Sequence, residues 1–318
     1  MADIPFLHSP AHQLLDHEHS SNLPCIKSRL FLLSDKNREQ ALHTLNRLGN
    51  AYLFRGFSSH CGASNEQVLR HWQAPQHRSM QIGSLSPAFI QQLHRYEQQL
   101  EQGMQLQEVP TDATTAEKIR LMACQYPLLG NKLWMPEDVT LHQKAALLCT
   151  ALLAEHCLPA QNCRYGHALL AAGINNASIA MQLALQHDCN PLRSYLASLM
   201  HSIALLYIYF SLKTTVELPG EHQLLDEIQH TDRRLAYWIA KDWGLPEDIL
   251  HMLKQRFQSG SATTTGARLL QKSEHAGLAI TLFHDKLLSR RQVKNLLQTM
   301  ELEQLLPLLD TAYNETLH

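Results

Sequence analysis

The sequence predicts an all-α protein on three observations. Helix-start and helix-stop signals are frequent, apolar residues recur with helical spacing, and the apolar–polar alternation typical of strands is nearly absent. The chain has 318 residues, of which 45% are hydrophobic, so it can bury one large core or two modest ones. We therefore expect helices joined by turns and loops, without a sheet.

The N-terminal third is predicted to contain a helix by an apolar stripe, and capping residues predict helix starts there and further along the chain. After Ser34, apolar side chains recur at Ala41, Leu42, Leu45, Leu48 and Tyr52, which lie on one face of a helix. Capping boxes, in which side chains satisfy the free amides of a first helical turn, are predicted at Ser64–Gln67, Thr114–Glu117 and Ser289–Gln292.

Two breaks organise the chain. Gly103 to Ala113 separates a polar, glutamine-rich region from a more apolar one, and Ser259 to Gly266 has the composition of a flexible loop. We predict an N-terminal helical region with an irregular tail at 1–104, and a helical domain at 105–318.

A close helix pair is predicted in the middle of the chain. Small residues recur at spacings of three and four between His167 and Leu185, which lets a second helix approach closely. The expected partner is the apolar run from Pro191 to Leu212, whose start is marked by Asn190 as an N-cap before proline. The two form an antiparallel pair with His201 near the middle of the second helix.

The uncharged run from Tyr195 to Leu212 also reaches the length of a membrane span. His201, three serines and the lack of a comparable second segment favour a helix buried on all sides within a globular protein. Further along, Trp243-Gly244 ends a helix, and Pro246 with two acids opens the next one. The four tryptophans are expected to be core anchors: Trp72, Trp134, Trp238 and Trp243.

Composition gives no reason to expect nucleic acid or an acidic membrane as a partner. The formal net charge is -2, and the pairs Arg233-Arg234 and Arg290-Arg291 are predicted to lie on solvated helix faces. Seven cysteines without a CxxC pair indicate reduced thiols, and no secretion signal is evident, so we expect a cytoplasmic protein. The histidines at 8, 12, 17 and 19 are attributed to a solvated tail.

Three stretches together resemble the HDOD domain, a bacterial regulatory relative of the HD metal-dependent phosphohydrolases. They are the small-residue helix Gly173–Ala184, the segment Ser194–Leu206 around His201, and the helix and turn Leu235–Ile249 with its Trp-Gly-Leu-Pro sequence. With a weaker match at Ala267–Phe283, the resemblance covers roughly Val109 to Met300. It implies an HD/HDOD-like orthogonal helical bundle with an extra N-terminal helical region.

The resemblance also implies where metal ligands of an HD enzyme would stand. Such a site needs a histidine, a His-Asp pair and a later aspartate, a donor set suited to divalent cations. The corresponding positions here are Ala172, His201-Ser202, Gln255-Arg256-Phe257 and Ser273-Glu274, or Glu274-His275 with a shift of one residue. His201 is therefore interpreted as the vestigial member of a broken set, with no catalytic, cofactor or metal site expected. An apolar environment would depress the pKa of His201 and keep it neutral.

Two functions of different class follow. The first is a non-enzymatic signalling or regulatory protein of the HDOD type, which docks an unknown protein partner or senses a small ligand beside His201. The alternative is a divergent metal-dependent phosphohydrolase whose ligands converge from outside the motif: His167, His201, Glu274 and His275. A third hypothesis is a scaffold whose N-terminal helices at 34–103 bind the partner.

Overall fold

The computed structural model describes residues 87–102, 164–213, 233–258, 264–284 and 286–306. Single helical positions are described outside these ranges: Ala41, Leu42, Leu45, Asn46, Gly49, Ala146, Cys149, Thr150 and Leu309. Within this part of the chain all regular structure is helical and no strand is present, so the all-α prediction is confirmed.

Seven helices and one short 3-10 helix follow each other in the described ranges. They are α1 (Pro87–Glu101), α2 (Arg164–Leu185), α3 (Pro191–Lys213), α4 (helical residues 233–242), α5 (Glu247–Gln258), α6 (Thr265–His284), α7 (Arg290–Thr299) and the 3-10 helix Glu303–Leu305. Helix α2 packs on both α3 and α6, and α3, α5 and α6 contact one another. Helices α2, α3 and α6 therefore form the centre of the described helices.

The α2–α3 pair is as close as the small residues predicted. A Cβ atom added at Gly173 would lie 2.2 Å from Cβ and 2.3 Å from Oγ of Ser202. Both residues are about equally far along the chain from the turn at 186–190, as an antiparallel pair requires. Most side chains of α3 from Leu192 to Leu206 are buried. Glycine at 173 and a short side chain at 202 thus set the distance between the two central helices.

Local chemistry explains where the helices begin and end. Asn190 Oδ1 accepts a hydrogen bond of 3.1 Å from the amide of Arg193, and Ser289 with Gln292 forms the predicted capping box around the start of α7. Gly244 has φ +68° after α4, a left-handed conformation that favours glycine at the end of a helix. Glu247 and Asp248 occupy the first turn of α5, where the helix dipole favours negative charge.

The core joins distant parts of the chain. One buried cluster brings Leu45 against side chains of α2, α6 and α7, and the hydroxyl of Thr150 is hydrogen-bonded to that of Tyr195 in α3. Leu45 and its neighbours Ala41 and Leu42 belong to the predicted N-terminal stripe. The contacts of Leu45 cross the proposed 104/105 boundary, and the division into two domains stays a prediction. Among the described residues, no helix is long and apolar enough to cross a membrane.

One prediction for the core and one for the surface were wrong. Trp243 is buried as expected, but Trp238 is 51% exposed, with its ring at an edge-to-face angle to Tyr237 and its face below Lys241. Arg234 is exposed as predicted, whereas Arg233 turns towards the interior. Successive residues of an α-helix lie about 100° apart around its axis. Two adjacent arginines therefore need not share a face. Trp72, Trp134, the capping boxes at 64 and 114 and the histidine-rich tail lie outside the described residues.

The contact between Gly173 and Ser202 makes a testable prediction. We expect Gly173→Ala to destabilise the protein by about 1–3 kcal/mol, because Ser202 Cβ cannot move away without its backbone. The matched control is Gly266→Ala in α6, where the new Cβ would meet only the flexible side chain of Met252. Urea unfolding of both variants measures the difference. Equal stabilities of the two variants would contradict the assigned helix contact.

Candidate functional site

Side chains from four helices converge on the carboxylate of Glu274 in the middle of α6. Arg256 comes from the last turn of α5, Arg233 from the start of the described part of α4, and His201 from the middle of α3. His275 follows Glu274 on α6 and interacts with the same charges. We call these five residues the arginine–glutamate cluster: Arg233, Arg256, Glu274, His201 and His275.

The closest pair in the cluster is Arg256 with Glu274. Nη2 of Arg256 donates to Oε2 of Glu274, and Nε of Arg256 lies 3.4 Å from Oε1. The side chains are only 7% and 17% exposed. A guanidinium that meets both oxygens of a carboxylate in a poorly solvated place forms a strong, directional ion pair. The pair therefore fixes α5 against α6.

The other cationic groups act on the same carboxylate. Nη2 of Arg233 lies 4.0 Å from Oε2 of Glu274, and His201 is close enough to influence its titration. Burial alone raises the pKa of Glu274, but the charges of Arg256, His201 and Arg233 outweigh it and hold the pKa well below its usual range. Glu274 is thus an anion throughout the physiological pH range.

His275 experiences the opposite balance. Burial lowers its pKa, the charge of Glu274 raises it, and the charges of Arg256 and Arg233 lower it, with a net decrease from the ordinary value of 6.5. The imidazole of His275 is therefore predominantly neutral at neutral pH. The structure consequently combines two permanent cations with one permanent anion in this cluster.

Several sequence-predicted positions do come together here, but with side chains that differ from a metal site. His201 is partly exposed and interacts electrostatically with the carboxylate of Glu274. Ser202 is buried against Gly173 instead, and Ala172 is the partly exposed neighbour of that glycine. The resemblance places the aspartate of an HD site at position 202. The small hydroxyl-bearing side chain of Ser202 serves helix packing there.

The remaining positions of the predicted set have structural roles. Oε1 of Gln255 accepts hydrogen bonds from the amide and hydroxyl of Thr264, at 3.0 Å and 2.7 Å, and so fixes the residue before α6. Ser273 is fully buried and donates to the carbonyl of Leu270 in its own helix. Between Ser273 and Glu274, only the glutamate reaches the cluster.

Within the described residues, no group of three or more histidine, cysteine, aspartate or glutamate side chains is arranged to hold a metal ion. His167 lies in α2, where the structure describes its backbone but not its side chain. His201, Glu274 and His275 are described and do not form such a group, and a contribution of His167 stays a prediction. His201 interacts electrostatically with Glu274, but Arg256 pairs with both oxygens of that carboxylate.

A second ion-pair group connects the N-terminal part to the bundle. Arg193 in the first turn of α3 contacts Glu97 of α1 through two hydrogen bonds, at 2.5 Å and 3.0 Å, and also donates to Asp248 of α5. The hydrogen bond to Glu97 is the main cause that raises the pKa of Arg193. Glu97 is itself buried, 4% exposed. Helices α1, α3 and α5 are thus tied together by one guanidinium.

Sequence reasoning missed Arg233, Arg193 and Glu97. The signal that could have found Glu97 is its spacing, because it lies four residues after Leu93 and next to Tyr96 on a buried stripe. Arg256 likewise continues the buried stripe of Ile249 and Met252. A charged residue on an apolar stripe requires a buried partner, and the partner can only be identified in three dimensions.

Comparison with known protein families, with curated proteins and with solved structures finds no match to this chain. The interpretation of the arginine–glutamate cluster therefore depends on its own geometry and on the resemblance carried by the sequence segments described above.

The Arg256–Glu274 pair predicts a strong thermodynamic coupling. Arg256→Met or Glu274→Leu alone is expected to destabilise the protein by about 3–5 kcal/mol, because each leaves a poorly solvated charge without its principal partner. The double variant should lie closer to the wild type than either single variant. A double-mutant cycle in urea measures the coupling. The matched control is the exposed Lys272–Glu301 pair, whose coupling should stay below about 1 kcal/mol.

The depressed pKa of His275 predicts a pH dependence of stability. The unfolded chain binds this proton more tightly than the folded chain does, so acidification from about pH 7.5 to pH 5 favours unfolding. His275→Gln should reduce the slope by up to about 1.4 kcal/mol per pH unit. Denaturant unfolding at several pH values tests this, and equal slopes for wild type and His275→Gln would contradict it.

Proposed function

We propose that the protein is a non-enzymatic bacterial regulatory protein of the HDOD type, in which a degenerate metal position is held by an internal cation. The observation that carries the proposal is the buried pair of Arg256 with Glu274. Under the resemblance, Arg256 stands where HD proteins often carry further histidine ligands, and Glu274 stands at the later acidic position.

The electrostatics of the cluster support this reading. A divalent cation at Glu274 would have to displace the guanidinium of Arg256 from both carboxylate oxygens. It would then remain close to Arg256 and Arg233, and the repulsion between like charges in a poorly solvated place is costly. The two arginines supply the positive charge that a metal would otherwise bring, but a guanidinium has no open coordination position for water.

Because Arg256 already pairs with both oxygens of the Glu274 carboxylate, we take binding as the proposed activity. The resemblance implies a cytoplasmic role in bacterial signal transduction or gene regulation through protein docking or through a ligand beside His201. His201 is partly exposed and adjoins charged groups, which suits recognition of a polar molecule. Helix α1 is joined to α3 by the Glu97–Arg193 contact, and we propose that it forms part of a partner surface.

Metal analysis tests the proposal directly. The full chain, purified with Mn²⁺, Fe²⁺ and Zn²⁺ supplied in turn, should retain far less than one equivalent of any of them, and it should not hydrolyse a generic phosphodiester. His201→Ala should retain as much metal as the wild type and as the matched control His94→Ala. One tightly bound equivalent that is lost only in His201→Ala would overturn the proposal in favour of a divergent metal-dependent phosphohydrolase.

A further inference from the structure

One face of α4 carries an exposed tryptophan between two basic residues. Trp238 is 51% exposed, and it is one of two large hydrophobic side chains that are exposed among the described residues. Arg234 precedes it by four residues and Lys241 follows it by three, and these spacings place side chains on one face of a helix. We call these three residues the tryptophan patch: Arg234, Trp238 and Lys241.

Helix α4 packs on the core through the face opposite to the patch. Ala236, Ile239 and Ala240 are fully buried there, and Trp243, just after the helix, is 3% exposed. The core therefore takes in one tryptophan, while Trp238, five residues earlier, stays on the surface. Because an indole gains free energy when it leaves water, a half-exposed tryptophan can still gain free energy by contact with another molecule.

The basic residues of the patch form no ion pair in the part of the chain that the structure describes. Arg234 and Lys241 are exposed, and Nζ of Lys241 lies 5.2 Å from the centroid of the Trp238 ring. Asp242 is also exposed and lies at the edge of the same face. Two positive charges and one negative charge give this surface an excess of positive charge, although the chain as a whole has a formal net charge of -2.

We propose that the tryptophan patch docks an extended acidic segment of a partner protein. An apolar side chain of that segment contacts Trp238, and its carboxylates pair with Arg234 and Lys241. The inference rests on the proposed function, which gives the protein a docking role. Carboxylates form charge-assisted hydrogen bonds with guanidinium and ammonium groups, and tryptophan is among the residues that contribute most to the affinity of protein interfaces.

The spacing of the patch predicts the pattern of the docked segment. At the rise of an α-helix, Arg234 and Lys241 lie about 10 Å apart along the axis, with Trp238 about 6 Å from Arg234. In an extended segment, alternate residues lie on one face at intervals of about 7 Å. An acidic, an apolar and a second acidic residue at alternate positions therefore match the patch, because the long side chains of Arg234 and Lys241 cover the remaining difference.

Nucleic acids and acidic membranes fit the patch less well. Both are bound by larger groups of lysine and arginine than the two residues present here. The carboxylate of Asp242 would lie close to a repeating phosphate backbone and repel it. A segment with two acidic residues needs no more cations than Arg234 and Lys241 provide.

The experiment is a titration of the full-length chain with the peptide Ser-Glu-Ser-Leu-Ser-Glu-Ser, blocked at both ends. The chain has four tryptophans, and their indole N–H signals are observed by NMR after labelling with ¹⁵N-tryptophan. Trp238→Phe identifies the signal of Trp238. That signal should shift saturably, with a Kd in the millimolar range or below, and more than the other three. No saturable shift up to about 20 mM peptide would overturn the inference.

Two matched peptides test the chemistry of the occupant. Replacement of both glutamates by glutamine, or of the leucine by serine, should each weaken binding about fivefold or more, because each removes one of the two kinds of contact. Equal binding of all three peptides would overturn the inference. Vesicles of phosphatidylserine and phosphatidylcholine that shift the Trp238 signal, where the peptide does not, would overturn it in favour of a membrane surface.

Variants with matched controls test the location. Arg234→Gln and Lys241→Gln should each weaken binding about threefold or more, whereas Lys254→Gln, which removes the same charge from an exposed position on α5, should change it less than about twofold. Asp242→Asn should strengthen binding. Equal effects of Lys241→Gln and Lys254→Gln would show a general attraction by charge and would overturn the site.

The apolar contact has its own control. Trp238→Ala should weaken binding about fivefold or more, measured on the methyl signals of the peptide's leucine, whereas Leu185→Ala removes the other exposed large hydrophobic side chain and should leave binding unchanged. Urea unfolding shows that both variants are folded. Unchanged binding by folded Trp238→Ala would overturn the inference.

Metal analysis of the same samples separates the two proposals. Metal-free protein that does not bind the acidic peptide overturns this inference and leaves the proposed function intact. One tightly bound equivalent of metal that is lost in His201→Ala overturns the proposed function, and peptide binding that depends on Trp238 in the same sample still supports the docking site.

Discussion

The ion pair between Arg256 and Glu274 constrains much of the described bundle, because it lies where four helices meet. Once Glu274 is placed on the inner side of α6, its charge must be compensated, and only a side chain from a neighbouring helix can do so. Arg256 meets this need from α5, with Arg233 and His201 as further contributors from α4 and α3. The relative positions of these helices are therefore fixed by charge as well as by apolar packing.

Close packing of α2 on α3 allows that arrangement. Gly173 and Ser202 bring the two helices together at the level of His201, so the imidazole is held at a fixed height beside Glu274. An aspartate at position 202 would need space that Gly173 does not leave. Residue 202, next to His201, serves helix packing here, because its short side chain lies against Gly173.

The sequence predicted the helical elements well because their signals are local. The Ser289 capping box, the Asn190 cap, the left-handed Gly244 and the small-residue stripe each depend on residues a few positions apart.

The arginine–glutamate cluster depends on residues separated by tens of positions, for example Arg233 and Glu274. Nothing in the sequence near either residue marks its charge as unusual. Arg233 was assigned to solvent because its neighbour Arg234 belongs there, and only the packing of α4 separates the two. The resemblance pointed to the positions of His201 and Glu274. It could not show that Arg256 pairs with the carboxylate of Glu274.

If Arg256 stands at the position of a metal, as we propose, it changes what such a site can do. A bound dication is exchangeable and activates water, whereas a guanidinium is a covalent part of the chain and cannot be deprotonated in a protein. Its charge is therefore present in every molecule and at every relevant pH, and Glu274 remains paired without any external factor. Under the proposed function, such a site has no group that activates water, but it keeps permanent positive charge next to Glu274.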